Sequence, residues 1–132
     1  MEIIREIKED YMITKAEDVY NYLEEFKNED REHFIVVGLD TKNKPCYREI
    51  VSMGTLNSSL IHPREVFKKA IMMSCNSIII AHNHPSGDTK PSKEDIEATR
   101  KLKKAGEIIQ IPILDHVIIG SDYYSMKENL DM

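Results

Sequence analysis

Ser77-Ile78-Ile79-Ile80-Ala81-His82-Asn83-His84-Pro85-Ser86-Gly87, followed by Pro91-Ser92-Lys93-Glu94-Asp95, is the stretch that decides how this chain folds. The isoleucine run is short, β-branched and bounded by turn residues, the pattern of a buried strand. Residues two apart in a strand point to one face, so His82 and His84 project side by side. Pro85, Ser86 and Gly87 then break the strand. Pro91-Ser92 opens a helix with Ser92 as its N-cap. Asp95 falls in the first turn of that helix and can point back at the two imidazoles. Two imidazoles and one carboxylate suit a divalent ion of zinc type, with a fourth position left for water. Blander readings compete. A pair of histidines can simply end a strand, and Ser92-x-x-Asp95 can act as a capping-box variant that satisfies helix amides. The roles are compatible, since one carboxylate oxygen can face the metal and the other the helix.

Working outward, Thr14-Lys15-Ala16-Glu17 is a capping box, and Ala16, Val19, Tyr20, Leu23 and Phe26 recur at helical spacing, predicting a helix from about 15 to 27. Ile3, Ile4 and Ile7 form a short apolar start, a strand or a docked arm. His33–Asp40 is apolar on both faces, hence a central strand. Residues 46–54 form its hairpin partner across the turn at 41–45. Asn57–Leu60 is a connection. Pro63 suits a first helical turn, and Val66, Phe67, Ala70, Ile71 and Met73 give that helix its buried face. A helix over about 92–106 follows the histidines, turned inward by Ile96, Ala98, Thr99, Leu102 and Ala105 and stopped at Gly106. Val117–Ile119 is a further strand, led into by Ile111–Leu114, and Tyr123–Met126 a last edge strand. The order predicts one α/β (α+β) domain over 1–132, with a mixed, mostly antiparallel sheet flanked by helices.

The chain has 132 residues, 41% hydrophobic and 31% charged, which fits one soluble globular domain. No apolar run reaches the ~18 residues of a membrane helix, and no signal-type segment opens the chain. Cys46 and Cys75 are not in a Cys-x-x-Cys pattern and read as reduced thiols of a cytoplasmic protein, with a Cys46–Cys75 disulfide as the lesser alternative. The net charge of −5 is uneven: residues 1–32 carry five basic and eleven acidic side chains. That excludes an overall nucleic-acid-binding surface. Local basic positions remain at Lys90, Lys93 and a helix face of Arg100, Lys101, Lys103 and Lys104, where DNA phosphates could dock, although a solvated face is the commoner explanation.

His-x-His, ten residues and then Asp95, with Ser92 three residues before it, matches the signature of JAMM (MPN or JAB) metalloproteases. Gly54-Thr55-Leu56-Asn57, His62-Pro63-Arg64-Glu65, His82–Gly87 and Leu114-Asp115-His116-Val117-Ile118-Ile119-Gly120 narrow the resemblance to the RadC-like branch, over roughly residues 12–128. It implies the three-layer JAB/MPN architecture, akin to cytidine deaminases. It also implies one Zn²⁺ per chain on His82, His84 and Asp95, and hydrolysis of an amide or isopeptide bond in a peptide or protein. RadC-like proteins often carry an N-terminal module resembling a helix-hairpin-helix. With about thirty residues before the first core strand, this chain reads as a short form or an excised catalytic domain. The family also bears a DNA-repair label that nothing in these residues derives.

JAMM enzymes use a glutamate just before an early core strand as proton acceptor, and Glu32 stands in the similar place. Glu49 and Glu65 are its rivals. The matching serine in JAMM enzymes helps stabilise the oxyanion, so Ser92 is assigned that role beside capping. Asp115 and His116 read as groups that orient the metal ligands, or as a structural hydrogen-bond pair. His33 reads as a surface residue. Three rival functions stay open: a metal-dependent nuclease or phosphodiesterase, a non-catalytic DNA-binding domain, and a structural zinc domain closed by His116 or Cys75.

Overall fold

Strand β2 (His33–Leu39) is buried along its entire length, as a segment apolar on both faces requires. It is the centre of the fold. The computed structural model describes residues 2–4, 11–54 and 61–132. Around β2 run β1 (Glu2–Ile4), α1 (Ala16–Tyr22), a 3-10 turn (Glu24–Asn28), β3 (Pro45–Met53), α2 (Pro63–Met72), β4 (Ser77–Asn83), α3 (Lys93–Ile109), β5 (Ile113–Ile119) and β6 (Tyr123–Ser125). They build a six-stranded sheet in the order β1-β3-β2-β4-β5-β6. Every neighbouring pair is antiparallel except β4 and β5. That parallel pair needs a crossover, and α3 supplies it.

Alternation along the strands divides the core in two. Ile35, Val37, Ile79 and Ala81 pack with α1. Val36, Ile78 and Ile80 pack on the other face with Val66 and Phe67 of α2 and Leu102 of α3. His82 lies opposite Phe34 on β2, and Ile80 beside His116 on β5. His82 and His116 therefore project from the same face, the one that α2 and α3 cover.

The α/β class and the mixed, mostly antiparallel sheet agree with the sequence reading. Several details differ. The first helix starts one residue later, so its third residue is Asp18, not Glu17. The Asp18 carboxylate accepts from Thr14 N–H at 2.9 Å, the Thr14 hydroxyl at 3.1 Å and Lys15 N–H at 3.2 Å. α1 then tightens into the 3-10 turn where a helix to 27 was expected. β5 begins at Ile113, ahead of the expected 117. Ile7 and the connection at Asn57–Leu60 lie outside the described residues. Cys46 and Cys75 are free thiols, as the sequence reading favoured, and burial pushes the Cys75 thiol up to about 12.

α3 does not stop at Gly106. It runs to Ile109 and ends on Gln110, whose left-handed φ of 61° closes the last turn. Gly106 is a packing residue: a Cβ there would stand 2.7 Å from the Ile111 carbonyl oxygen and 3.1 Å from the Phe67 ring. Helix propensity alone would favour Gly106→Ala by about 1 kcal/mol. The contact with a main-chain oxygen cannot be relieved by a side-chain rotation, and overpacking of this kind costs about 1–3 kcal/mol. Gly106→Ala should therefore lower the urea midpoint at unchanged slope. A raised midpoint would mean that α3 has slack against α2.

Candidate metal centre

His82, near the end of β4, and His84, one residue past it, lie on one face, and the first turn of α3 brings Asp95 over them. His82 Nε2 is 3.2 Å from Asp95 Oδ1, and His84 Nε2 is 3.2 Å from Asp95 Oδ2. The two Nε2 atoms are 2.9 Å apart. Ligands held at 2.0–2.1 Å around a tetrahedral ion stand about 3.3 Å from one another. The three donors thus already outline one face of such a coordination shell. Among the described residues, this is the one cluster of three or more His, Cys, Asp or Glu able to share an ion.

The protons support the same reading. The Thr99 hydroxyl lies 2.7 Å from the Asp95 carbonyl oxygen, a pure acceptor, and must donate to it. It can then only accept from His116 Nδ1–H, 2.5 Å away. His116 is fully buried, and that burial drives its pKa well below the ordinary imidazole value. It is neutral, so its Nε2 is a lone pair and must accept from His82 Nδ1–H at 2.7 Å. His82 consequently turns an Nε2 lone pair inward. His84 does likewise, because its Nδ1–H donates to the Asp88 carbonyl at 2.8 Å. Two lone pairs facing each other at 2.9 Å beside a carboxylate repel unless a cation joins them.

Without a metal, a proton is that cation. Hydrogen bonding to Asp95 raises the His84 pKa against an opposing desolvation. Burial pushes the Asp95 carboxyl up, but the positive charge that His82 and His84 can carry beside it, together with Ser92 N–H, outweighs that and holds Asp95 well below the usual carboxylate range. The site is thus a negative pocket built to receive positive charge.

The Pro-Ser-Gly turn keeps this end of β4 in place. Gly87 has φ +88°, and its carbonyl accepts from Ser121 N–H at 3.1 Å, just beyond β5. A cleft of about 370 Å³ opens over the ligands, lined by Glu32, His84, Pro85, Ser86, Ser92, Glu94 and Asp95. Ser92 caps α3: its Oγ accepts from Asp95 N–H at 3.0 Å, and Asp95 Oδ2 accepts from Ser92 N–H at 2.7 Å. The Ser92 hydroxyl hydrogen is not used by that cap. Of the three rival glutamates, Glu32 lies in the cleft. Glu49 is buried on β3, facing Glu65, Lys68 and Lys69 of α2, and burial raises its pKa. Glu65 is half-buried in the first turn of α2, 4.0 Å from Arg64.

Asp115 and His116 part company, because adjacent strand residues point to opposite faces. His116 touches a ligand. Asp115 does not, contrary to its expected orienting role: it ties β5 to β6, accepting from Ser125 Oγ at 2.6 Å and from Lys127 N–H at 3.1 Å on the far face. Neither proposed fourth ligand closes the shell. His116 Nε2 is engaged by His82 Nδ1. Cys75 precedes β4 at its far end, a strand length of roughly 20 Å from the histidines. His33 is buried, not on the surface, and packs on Phe26 with ring centroids 5.5 Å apart. Arg100, Lys103 and Lys104 share their surface with Glu107 and Asp131.

The sequence marks Thr99 only as an inward helix position. A threonine one turn after a ligand, on a buried face, is the signal that could have singled it out. Thr99→Val keeps the shape and deletes the hydroxyl that fixes the His116 tautomer. Zinc affinity, followed by competition with a chelator, should fall about 10–100-fold. Unchanged affinity would show that His82 needs no such support.

A family model described as RadC-like JAB domain matches residues 13–131. Relatives named UPF0758 protein are close in sequence. The Rubrobacter xylanophilus protein is 58% identical over 102 residues, 77% of this chain and 45% of its own length. The Chlorobium phaeovibrioides protein is 55% identical over 119 residues, 89% of this chain and 53% of its own. The Caldanaerobacter subterraneus protein is 55% identical over 122 residues, 91% of this chain and 52% of its own. The chain spans about half the length of these relatives. No helix among the described residues is long and apolar enough to cross a membrane. On the match across nearly its whole length, the chain belongs to the RadC-like JAB domain family.

Proposed function

We propose that this domain is a zinc-dependent hydrolase acting on an amide or isopeptide bond of a peptide or protein. The observation that carries the reading is the pair of Nε2 lone pairs facing Asp95 beneath a cleft that also holds Glu32. His82, His84 and Asp95 would hold the ion. When bound, zinc supplies Lewis-acid polarisation and brings the pKa of a water toward ~7. Glu32 takes a proton from the attacking water and returns it to the leaving nitrogen. The water oxygen adds to the carbonyl carbon, the C–N bond breaks, and a carboxylic acid and an amine result. The Ser92 hydroxyl, on the cleft wall, donates to the carbonyl oxygen as negative charge develops there.

The test is a screen of quenched peptides and isopeptide-linked substrates with the zinc-loaded chain, beside the same protein stripped by a chelator. Cleavage that disappears with the metal and returns with zinc supports the reading. A fully loaded chain that leaves every amide intact but cuts a phosphodiester would replace it with the nuclease reading.

A further inference from the structure

Asn83 stands between the two histidines, is fully buried, and does not line the cleft. Strand alternation sends its side chain to the face opposite His82 and His84. The β2–β4 ladder has its last pair at Phe34 and His82. One residue further on, the carboxamide of Asn83 takes over from the main chain. Its Oδ1 accepts from His33 N–H at 2.7 Å, and its Nδ2 donates to the Arg31 carbonyl at 2.8 Å. These two groups flank Glu32. The Glu32 carbonyl itself accepts from Gly54 N–H at 2.8 Å.

We propose that Asn83 is a positioning residue for Glu32, its carboxamide gripping the main chain on both sides so that the carboxylate is held over the metal ligands. This rests on the reading of Glu32 as proton acceptor. Glu32 follows the polar bend Asn28–Arg31 and lies beyond the last β2–β4 pair, so β3 holds its backbone through Gly54 N–H while on the β4 side no ladder bond reaches it and the Asn83 carboxamide stands in. A proton acceptor must sit within hydrogen-bond reach of the reacting atoms, and a misplacement of about 1 Å can cost about 10²-fold in rate. Asparagine suits the task because one short planar group offers a donor and an acceptor side by side. Aspartate has no donor for Arg31, glutamine is a methylene too long, and alanine offers nothing. The arrangement also couples two parts of the site. The three residues 82–84 direct the metal ligands to one face and set the position of the base from the other.

The experiment compares Asn83→Ala and the isosteric Asn83→Asp with the wild-type chain, all loaded with zinc. Zinc stoichiometry and affinity should stay within about threefold. Turnover of Asn83→Ala should fall about 10–100-fold with KM within about threefold, a split expected when only the transition state loses a contact. On a Glu32→Gln background, Asn83→Ala should cost nothing more, because both changes remove the same function. A readout independent of activity is amide exchange at His33. It should be slow in wild type, at least about tenfold faster in Asn83→Ala, and still slow in Asn83→Asp, which keeps the acceptor. If wild type cleaves no amide, the hydrolase reading fails, while His33 exchange still decides whether the clamp exists. Full turnover in zinc-loaded Asn83→Ala, losses that multiply with Glu32→Gln, or unchanged His33 exchange would each overturn the proposal. So would failure of both variants to bind zinc, since Asn83 would then be holding the ligands.

Discussion

His84→Ala should reduce bound zinc from about one ion per chain to none, measured by elemental analysis after dialysis against zinc-free buffer. The remaining pair, His82 and Asp95, cannot hold the ion alone, because structural and catalytic zinc sites take at least three protein ligands. His82→Ala and Asp95→Ala should do the same, with amide hydrolysis falling to background in all three. The same site implies a pH profile. Hydrogen bonding to Asp95 raises the His84 pKa, and zinc requires the lone pair which that proton occupies. Above the raised value the proton is absent and affinity is full. As pH falls through it, affinity should begin to drop, by about tenfold per unit. Asp95 stays ionised through this range, since its pKa is held low, so the imidazole and not the carboxylate sets the onset. Zinc retained by His84→Ala, or an affinity flat with pH, would mean that the ion binds elsewhere. Thermal stability gives a second readout. Excess zinc should raise the melting temperature of wild type, because a ligand bound only by the folded chain stabilises it. The three alanine variants should show no such rise.

Glu32→Gln separates binding from chemistry. The amide that replaces the carboxylate keeps its size, and the main-chain anchors at Arg31, His33 and Gly54 stay in place, but an amide cannot accept the proton. Zinc content should be unchanged and turnover should fall about 10²–10⁴-fold, the usual worth of a positioned general base. Glu49→Gln is the informative control. Its carboxyl, pushed up by burial on β3, does not line the cleft, so turnover should hold. Lysine or histidine at position 32 would not serve as a control, because a cation there would oppose the metal. Full activity in zinc-loaded Glu32→Gln would remove Glu32 from the mechanism, and loss of activity in Glu49→Gln would reopen the choice between them.

Much of the candidate metal centre was legible in the sequence because its parts are local. Period-two geometry put His82 and His84 on one face, and helix-start chemistry put Ser92 at the cap and Asp95 one turn in, where the structure has them. The same period could have separated Asp115 from His116, since neighbours on a strand never share a face. The end of α3 escapes the sequence for another reason. Glycine is both a helix terminator and a close-packing residue, and only the approach of Phe67 and Ile111 to Gly106 tells which.

Long-range relations could not be read this way. Glu32, Glu49 and Glu65 are chemically equal in a one-dimensional string, and the β2–β4 pairing is what lays Glu32 beside the histidines. Thr99 and His116 meet because α3 crosses over to a parallel strand, placing a helix residue against a strand residue 17 positions away. Asn83 and His33, the neighbour of Glu32, are linked across 50 residues by the same antiparallel pairing. Which atoms could bind a metal follows from the order of residues alone, because strand and helix periodicity are properties of a few consecutive positions. Which carboxylate shares their cleft, and which side chains hold them in place, follows from the folded chain, because those are distances across strands that loop lengths and packing set.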